Sequence, residues 1–583
     1  MKRVTAIFIC LIASICLQAQ SDLMKKLENR PYPQWFDEAK LGIFVHYGLY
    51  SIPSYSDKEQ YAEWFYKGLI SQDSLRIKFQ KEVFGENFKY EDYKDLFKAE
   101  LFDANQWAEL FKKAGARYVV FTSKHHDGYC MYDSRYANGW SSATTGPRID
   151  FCEELSKAVR ENDMRMCLYY SLTEWTNPLY RWTVDTNKSI DSYIEKHLHP
   201  QFKELVDKFK PSLIFSDGDW DFDYKTFKSD ELVSYYYDVV GEEAIVNDRW
   251  GHGFNYGYLT PEYSESIMVT NRPWAECRGL SRSFGLNRNA DLSSYLTSED
   301  LIKHFVRSVA GGGGLTLNVG PAADGSIPLL QQERLLKLGE WLQINGEAIY
   351  ASKPFYKNME TYEVVLPCSN KEINFDWVRN APENQMPTDH FAINWQTNFT
   401  PEKTDKYKFY LNADENAGFQ ILDEENKVVF QLAAEKEEVQ AEVKLKKGRK
   451  YTFELVYQEK THEAVVSLLW ENSSMSKQPV RTLENWKGEM SWKQSYVCFT
   501  VNNGNLYAVA LEPLSKQFEF TLENAPDEDM KVCLLAEKPI YLDWSYDNNT
   551  KKFTIDTSKL SPADVKTIGA WVFRLEGYMQ TSN

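Results

Sequence analysis

Short apolar runs punctuate the first 355 residues, and each stops at a cluster of polar side chains. Leu41-Gly-Ile-Phe-Val45 ends in His46-Tyr47-Gly48, and Tyr118-Val-Val-Phe-Thr122 ends in Lys124-His125-His126-Asp127-Gly128. Arg165 to Ser171 carries Tyr169-Tyr170, and Leu213-Ile-Phe215, after the turn Lys210-Pro211-Ser212, runs out at Asp217-Gly218-Asp219. Ala244 to Trp250 and Leu315 to Val319 continue the series. Runs this short, apolar on both parities, read as strands buried on both faces. Helical periodicity lies between them, for example over Asp103 to Lys113 and Phe151 to Glu161. Strands alternating with helices predict an α/β fold, and this many repeats favours a (β/α)8-like TIM barrel over an open sheet.

From about residue 358 the period changes to two. Tyr407–Leu411, Gly418–Leu422, Lys427–Gln431, Thr452–Val456 and Val465–Trp470 alternate, with turn signals at Asn412-Ala-Asp and Lys446-Lys-Gly. That pattern predicts a β-sandwich over 358–482 and, from Tyr496–Thr500, Leu506–Leu511 and Trp571–Leu575, a second over 483–583. The barrel is expected over 21–357. Residues 1–20 read as a cleaved signal peptide, with Lys2 and Arg3 ahead of the apolar Val4 to Leu17 and a small-residue exit at Ala19-Gln20. The apolar part is too short to span a bilayer well, so the expectation is export, periplasmic or secreted, with no membrane span.

Composition narrows the partners more than the fold. The net charge is −17, and about −19 without Lys2 and Arg3. Such a surface repels nucleic acid and anionic lipid, so neither is an expected partner. Seven cysteines follow residue 20, an odd number at wide spacings, which gives no disulfide framework and no zinc pattern. Aromatic residues make up 15%, with 17 Trp and 36 Tyr; such rings suit sugar faces and also fill cores, so both uses stay open.

The polar strand ends carry the candidate chemistry. A barrel gathers the loops that follow its strands on one face, which brings His46, His125, His126, Tyr170, Asp217 and Arg249 together. Adjacent histidines raise the question of a metal. Successive strand residues point oppositely, and no ligand spacing is present, so donors and acceptors for a polyol fit the set better. Asp217 alone could be a reacting carboxylate or a turn cap.

Eight stretches in one order then identify a resemblance. Trp35 to Gly48, Ala62-Glu-Trp64, Thr122 to Gly128, Phe215 to Trp220, Val246 to Gly251, Thr260-Pro-Glu-Tyr263, Arg278 to Gly285 and Leu317 to Pro321 make the region 33–355 resemble the α-L-fucosidases of glycoside hydrolase family 29, which are retaining enzymes. The resemblance implies release of terminal α-L-fucose from a fucosylated glycan through a covalent glycosyl-enzyme, with no cofactor and no metal. It implies Asp217 as nucleophile and Glu262 as general acid and then base. It also implies fucose binding by His46, Glu63, Trp64, His125, His126, Tyr170 and Arg249, with Phe284 against the sugar's apolar face. Tyr47 and Phe215 stand where the family often has tryptophan, Leu286 where tyrosine is usual, Gly314 where asparagine is, and Ala275 where many members have glutamate. Glu276, one place along from Ala275, is out of register as a rival acid/base. Two alternatives accompany this reading: a fucose-binding protein on an inactive barrel, and a retaining glycosidase of related sugar specificity. Residues 483–580 look like the family's C-terminal sandwich. The block 358–482 resembles the carbohydrate-binding sandwich first known from the anthrax protective antigen, with a structural spacer as the other reading.

Overall fold

The computed structural model describes residues 22–58, 60–180, 189–264, 270–378, 381–383, 386–460 and 464–578, so the expected signal peptide lies outside the described residues. Seven parallel strands form one sheet. They are β1 (Leu41–Val45), β2 (Tyr118–Lys124), β3 (Arg165–Ser171), β4 (Leu213–Asp217), β5 (Ile245–Val246), β6 (Ala275–Gly279) and β7 (Gly314–Val319), in the order β5-β4-β3-β2-β1-β7-β6. Two parallel bridges, Asn247 to Tyr258 and Leu259 to Trp274, join its edges. Tyr258 N donates to Val246 O (3.0 Å), and Ala275 N to Leu259 O (3.1 Å). Tyr258-Leu259 is thus a two-residue eighth stave, and the sheet closes on itself as a barrel closes.

The strands are buried from end to end, as their unbroken apolar runs require: every residue of β1, β2, β6 and β7 is inaccessible. Amphipathic helices cover them. Ala104–Lys113 buries Trp107, Ala108 and Phe111, and Asp103 caps it by accepting from the amides of Asn105 and Gln106 (2.9 and 3.0 Å). Asp150 caps Phe151–Glu161 through the Glu153 amide (2.9 Å). Among the described residues no helix is long and apolar enough to cross a membrane.

Inside the barrel the even residues of β1 meet the odd residues of β3 and β4. Gly42 sits where a Cβ would come within 2.2 Å of the Tyr118 ring, so only glycine lets that ring fill the lower barrel. Above it, Phe44 packs against Phe215 (centroids 5.0 Å), Tyr169 (5.8 Å), Phe284 (6.4 Å) and His46 (4.6 Å). This aromatic layer is the floor on which the polar side chains stand.

The described residues from Lys353 to Leu575 are built of β-strands and make up most of a second compact unit. Two long strands, Lys353–Asn370 and Trp486–Asn502, pair antiparallel along most of their length. One core gathers Trp395, Phe409, Phe419, Phe453, Trp470 and Trp486, with Val364 and Leu366 packed on it. The other holds Phe355, Val497, Phe499, Phe520, Phe553 and Phe573. The same pair of strands therefore serves two sandwiches. The expected boundary at 357/358 falls inside the first strand, and the residues following 482/483 still supply the first core, through Trp486, Met490 and Trp492.

Phe44→Ala should cost about 3–5 kcal/mol in urea unfolding of the barrel, because a buried ring at the centre of four others leaves a cavity they cannot collapse into. A loss below about 1 kcal/mol would mean that this layer is not the packed floor described.

Candidate active site

Asp217 is the last residue of β4 and faces the barrel interior, two and four places beyond the inward Phe215 and Leu213. Its carboxylate, 13% exposed, is approached from three directions. Tyr169 of β3 donates its hydroxyl to Oδ2 (2.9 Å). His126, just past β2, places Nε2 3.4 Å from the same oxygen. Arg249, past β5, places Nη1 3.4 Å from Oδ1. Burial by itself would raise the pKa of this group. Hydrogen bonding from His126, the Arg249 charge and the Tyr169 hydroxyl outweigh it and hold the carboxyl well below the usual carboxylate range. At an effective dielectric of about 20, opposite charges 3.4 Å apart attract by roughly 5 kcal/mol, which shows why the arginine can offset burial.

Arg249 is itself fixed. Nε donates to the Thr260 hydroxyl (3.0 Å) and Nη2 to the Thr260 carbonyl (3.0 Å), while the Thr260 hydroxyl donates to Asp248 (2.8 Å). Its guanidinium also lies over the Phe215 ring, 5.4 Å from the centroid. The turn that follows Asp217 depends on Gly218, at φ +88°, where a Cβ would meet Thr173 at 2.8 Å. Next to it, Asp219 is pushed upward by burial and by the Asp217 charge.

Three imidazoles line the same region, with ring centroids 5.6 Å apart for His46–His125 and 4.4 Å for His125–His126. Burial lowers His46 to about 3, so it is neutral at ordinary pH. Asn318 Nδ2 donates to the Phe284 carbonyl (2.6 Å), so its Oδ1 faces His46 Nδ1 (2.6 Å) as acceptor. His46 Nδ1 therefore carries the proton and Nε2 is left as an acceptor. His125 stacks on Tyr169 (5.5 Å, 12°) and is driven well below its normal range by burial and by its two histidine neighbours. Its buried Nδ1 has no hydrogen-bond partner among the described residues. His126 Nδ1 lies 2.6 Å from the Ser171 hydroxyl.

Glu63 accepts from the Gly285 amide (2.7 Å) and the Ser283 hydroxyl (3.1 Å). Its carboxylate thereby pins the turn that carries Phe284, whose ring packs on His46 (5.0 Å). Trp64 meets His126 (5.8 Å) and Trp175 (5.2 Å) edge-on. Trp175 is held from behind the wall by its neighbour Glu174, which is fully buried with Lys124 (2.5 Å) and His197 (2.6 Å). Burial would raise Glu174, but the Lys124 and His197 partners bring it down to about 2.

One expected residue sits elsewhere. Tyr170 points out of the barrel, donating to Gln201 Oε1 (2.9 Å) with the Lys124 ammonium over its ring (4.0 Å). Its predecessor Tyr169 faces Asp217, because neighbouring strand residues take opposite faces. Tyr169, Asn318 and Trp175 are site residues that the sequence did not single out. The phase of Tyr169 and of Asn318 is not legible in the sequence, because strands buried on both faces show no alternation. Tyr47 is also behind the wall, against Phe97, Trp107 and Phe151, so that departure from the family pattern does not touch the site. Glu276 pairs with Arg278 (3.8 Å), whereas Cys277 between them lies 3.7 Å from Arg249. Glu276 thus takes the opposite strand face from the residue that meets the site. Glu262 is half-buried and follows Pro261, just past the eighth stave in the chain. Among the described residues no group of three or more histidine, cysteine, aspartate or glutamate side chains is placed to hold a metal ion. None of the seven cysteines forms a disulfide, and six are buried.

Comparison with known proteins places these features in context. The sequence model of the α-L-fucosidase family matches residues 15–347, and that of the PA14 domain matches residues 347–482. An α-L-fucosidase of Dictyostelium discoideum is 38% identical over 376 residues, which cover 62% of this chain and 81% of that one. The tissue α-L-fucosidase of Rattus norvegicus is 37% identical over 356 residues, 59% of this chain and 76% of its own. Among solved structures, the Thermotoga maritima α-fucosidase in complex with a mechanism-based inhibitor superposes with a TM-score of 0.63 at 26% identity, covering 94% of this chain and 98% of that one.

Exchanging the two adjacent tyrosines separates their roles. Tyr169→Phe removes a hydrogen bond to a charged group, worth about 1.5–3 kcal/mol, so turnover of the enzyme's substrate should fall roughly 10- to 100-fold. Tyr170→Phe should cost about 1 kcal/mol of stability through the lost Gln201 contact and spare most of the turnover. The reverse pattern in steady-state kinetics would place Tyr170 in the site.

Proposed function

The chain belongs to the α-L-fucosidase family, and from that premise we propose how its own residues carry out the retaining hydrolysis of terminal α-L-fucose. The observation that carries the assignment is the ionised carboxylate of Asp217, at the carboxyl end of β4, gripped by donors from three other staves. Asp217 attacks the anomeric carbon and forms a glycosyl ester as the aglycone leaves. Glu262 gives the departing oxygen its proton, then takes one from the water that hydrolyses the ester. Two displacements at one carbon restore the starting configuration, which is why a retaining enzyme needs one ionised and one protonated carboxyl about 5–5.5 Å apart. Supporting Glu262 over Glu276 are the Thr260-Pro-Glu-Tyr263 motif and the side of β6 on which Glu276 lies.

The neutral His46 and His125 offer ring nitrogens to sugar hydroxyls, and Trp64 and Phe284 supply apolar surface for the 6-methyl group and the ring face. Arg249 and Tyr169 keep the nucleophile charged in the resting enzyme and let that charge transfer to the new bond. We further propose that the protein is exported. The support is the basic, apolar and small-residue succession of residues 1–20. The PA14 match of residues 347–482 supports carbohydrate binding by that block as an auxiliary to the barrel.

Asp217→Ala should abolish release of fucose from an aryl fucoside while the fold persists, and azide should restore a product of inverted configuration. Unchanged activity would end the assignment, and fucose binding without any turnover in the parent would favour the lectin reading. Glu262→Ala should slow cleavage of natural fucosides about 10²–10⁴-fold and slow ester formation from an activated aryl fucoside far less. Glu276→Ala showing that contrast in its place would move the acid/base to β6.

The pH profile tests Arg249. The folded carboxyl of Asp217 is depressed, so the nucleophile is ionised throughout the assay range and does not set the acidic limb of kcat/KM. Arg249→Met removes one of the groups that lower it, so Asp217 should titrate at higher pH and become the group that sets the acidic limb, which then lies above the parent's. An acidic limb identical to the parent's would mean that His126 and Tyr169 hold the charge without Arg249.

A further inference from the structure

The turn after the nucleophile ends in Trp220, an indole 37% exposed in a region where nearly every other ring is buried. Single exposed aromatics are ordinary on protein surfaces, so exposure alone says little. What distinguishes Trp220 is what stands behind it. Its ring packs on Trp64 (centroids 5.7 Å, 35°) and on His126 (5.2 Å, 73°), and His126 in turn reaches the Asp217 carboxylate. It follows Asp217 by three residues, a chain length that reaches at most about 10 Å.

The turn is also rigid. Gly218 takes its left-handed conformation against Thr173, which fixes the direction in which the chain leaves β4. The Trp220 carbonyl accepts from His252 Nε2 (2.7 Å), and the Phe222 carbonyl accepts from the His252 amide (3.0 Å). Asp223 then bridges to His252 in parallel register, and Asp221 accepts from the Tyr180 hydroxyl. A ring held this firmly meets a ligand without the cost of ordering a mobile side chain.

Resting on the fucosidase reading above, we propose that Trp220 is the platform for the aglycone: the sugar unit to which fucose is attached lays its CH-rich face on the exposed indole. The fucose pocket is walled by Trp64 and His126, and Trp220 continues that wall outward from the nucleophile. A pyranose carries apolar C–H groups on one face and hydroxyls at its edge, which suits one flat ring flanked by polar rim groups. Asp219, the preceding residue, and Lys67, which feels the charge of Asp221 on the same turn and has its ammonium 5.4 Å from the Trp175 ring, provide such a rim. Contact with a part of the substrate remote from the bond being broken raises kcat/KM for the natural glycan and does nothing for a substrate without that part.

The test compares two substrates of one enzyme. α-L-Fucosyl fluoride has a leaving group of one atom and nothing to stack. Its counterpart is the fucosylated disaccharide that the parent cleaves fastest among the α1,2, α1,3, α1,4 and α1,6 linkages. Trp220→Ala should lower kcat/KM for the disaccharide at least about tenfold more than for the fluoride, and Trp220→Phe should recover most of that gap. Retained fluoride hydrolysis reports that the variant is folded. An equal loss on both substrates would place Trp220 in the fucose pocket, and no loss on either would make it surface decoration; each result overturns the proposal. A parent that hydrolyses neither substrate would instead overturn the fucosidase reading on which the proposal rests.

Discussion

The site depends on keeping one carboxylate charged where water is scarce. Asp217 stands over an aromatic floor of Phe44, Phe215 and Tyr169, surroundings that by themselves would protonate it and leave it a poor nucleophile. The barrel solves this by geometry. Eight staves converge on one end, so donors from the ends of β2, β3 and β5 reach a single side chain on β4 although they are 32 to 91 positions away in sequence. An open loop could not hold three donors at these distances without losing the entropy that folding the barrel has already spent.

The same constraint explains what lies behind the wall. A neutral histidine is useful only if its proton is on a known nitrogen, and Asn318, anchored by the Phe284 carbonyl, settles that for His46. Glu63 commits its carboxylate to the turn carrying Phe284, and the Lys124–Glu174–His197 cluster fixes the segment carrying Trp175. These buried charges are paired and hydrogen-bonded, the condition under which a charge is tolerated in a core at all. Their contribution is placement: each holds a ring that meets the pocket.

Much of this was legible in the sequence, and what was not has a physical cause. Buried parallel strands announce themselves as apolar runs, and their polar exits, from His46 to Asp217, are where barrel chemistry sits. The phase within a strand is harder, because a strand buried on both faces has no alternation to read. Tyr169 and Tyr170 are chemically identical neighbours, and only the inward series Cys167, Tyr169, Ser171, set by pairing with β4, tells them apart. Tyr258-Leu259 could not be seen as a stave, since two residues held by single bridges carry no periodicity. The strands Lys353–Asn370 and Trp486–Asn502 blur the boundaries of the β-unit for a related reason. A strand that passes from one core to another keeps its alternation throughout, so composition does not mark the crossing.

The central claim is that Asp217 forms a covalent bond to the sugar. Incubation with a 2-deoxy-2-fluoro-fucosyl fluoride, whose 2-fluorine slows both displacements while its fluoride leaving group keeps the first fast enough for the intermediate to accumulate, should add one fluorosugar to the intact protein by mass spectrometry. Peptide mapping should then find that mass on the segment containing Asp217. An adduct on a segment carrying Glu262 or Glu276, or fluoride released with no adduct at all, would contradict the account.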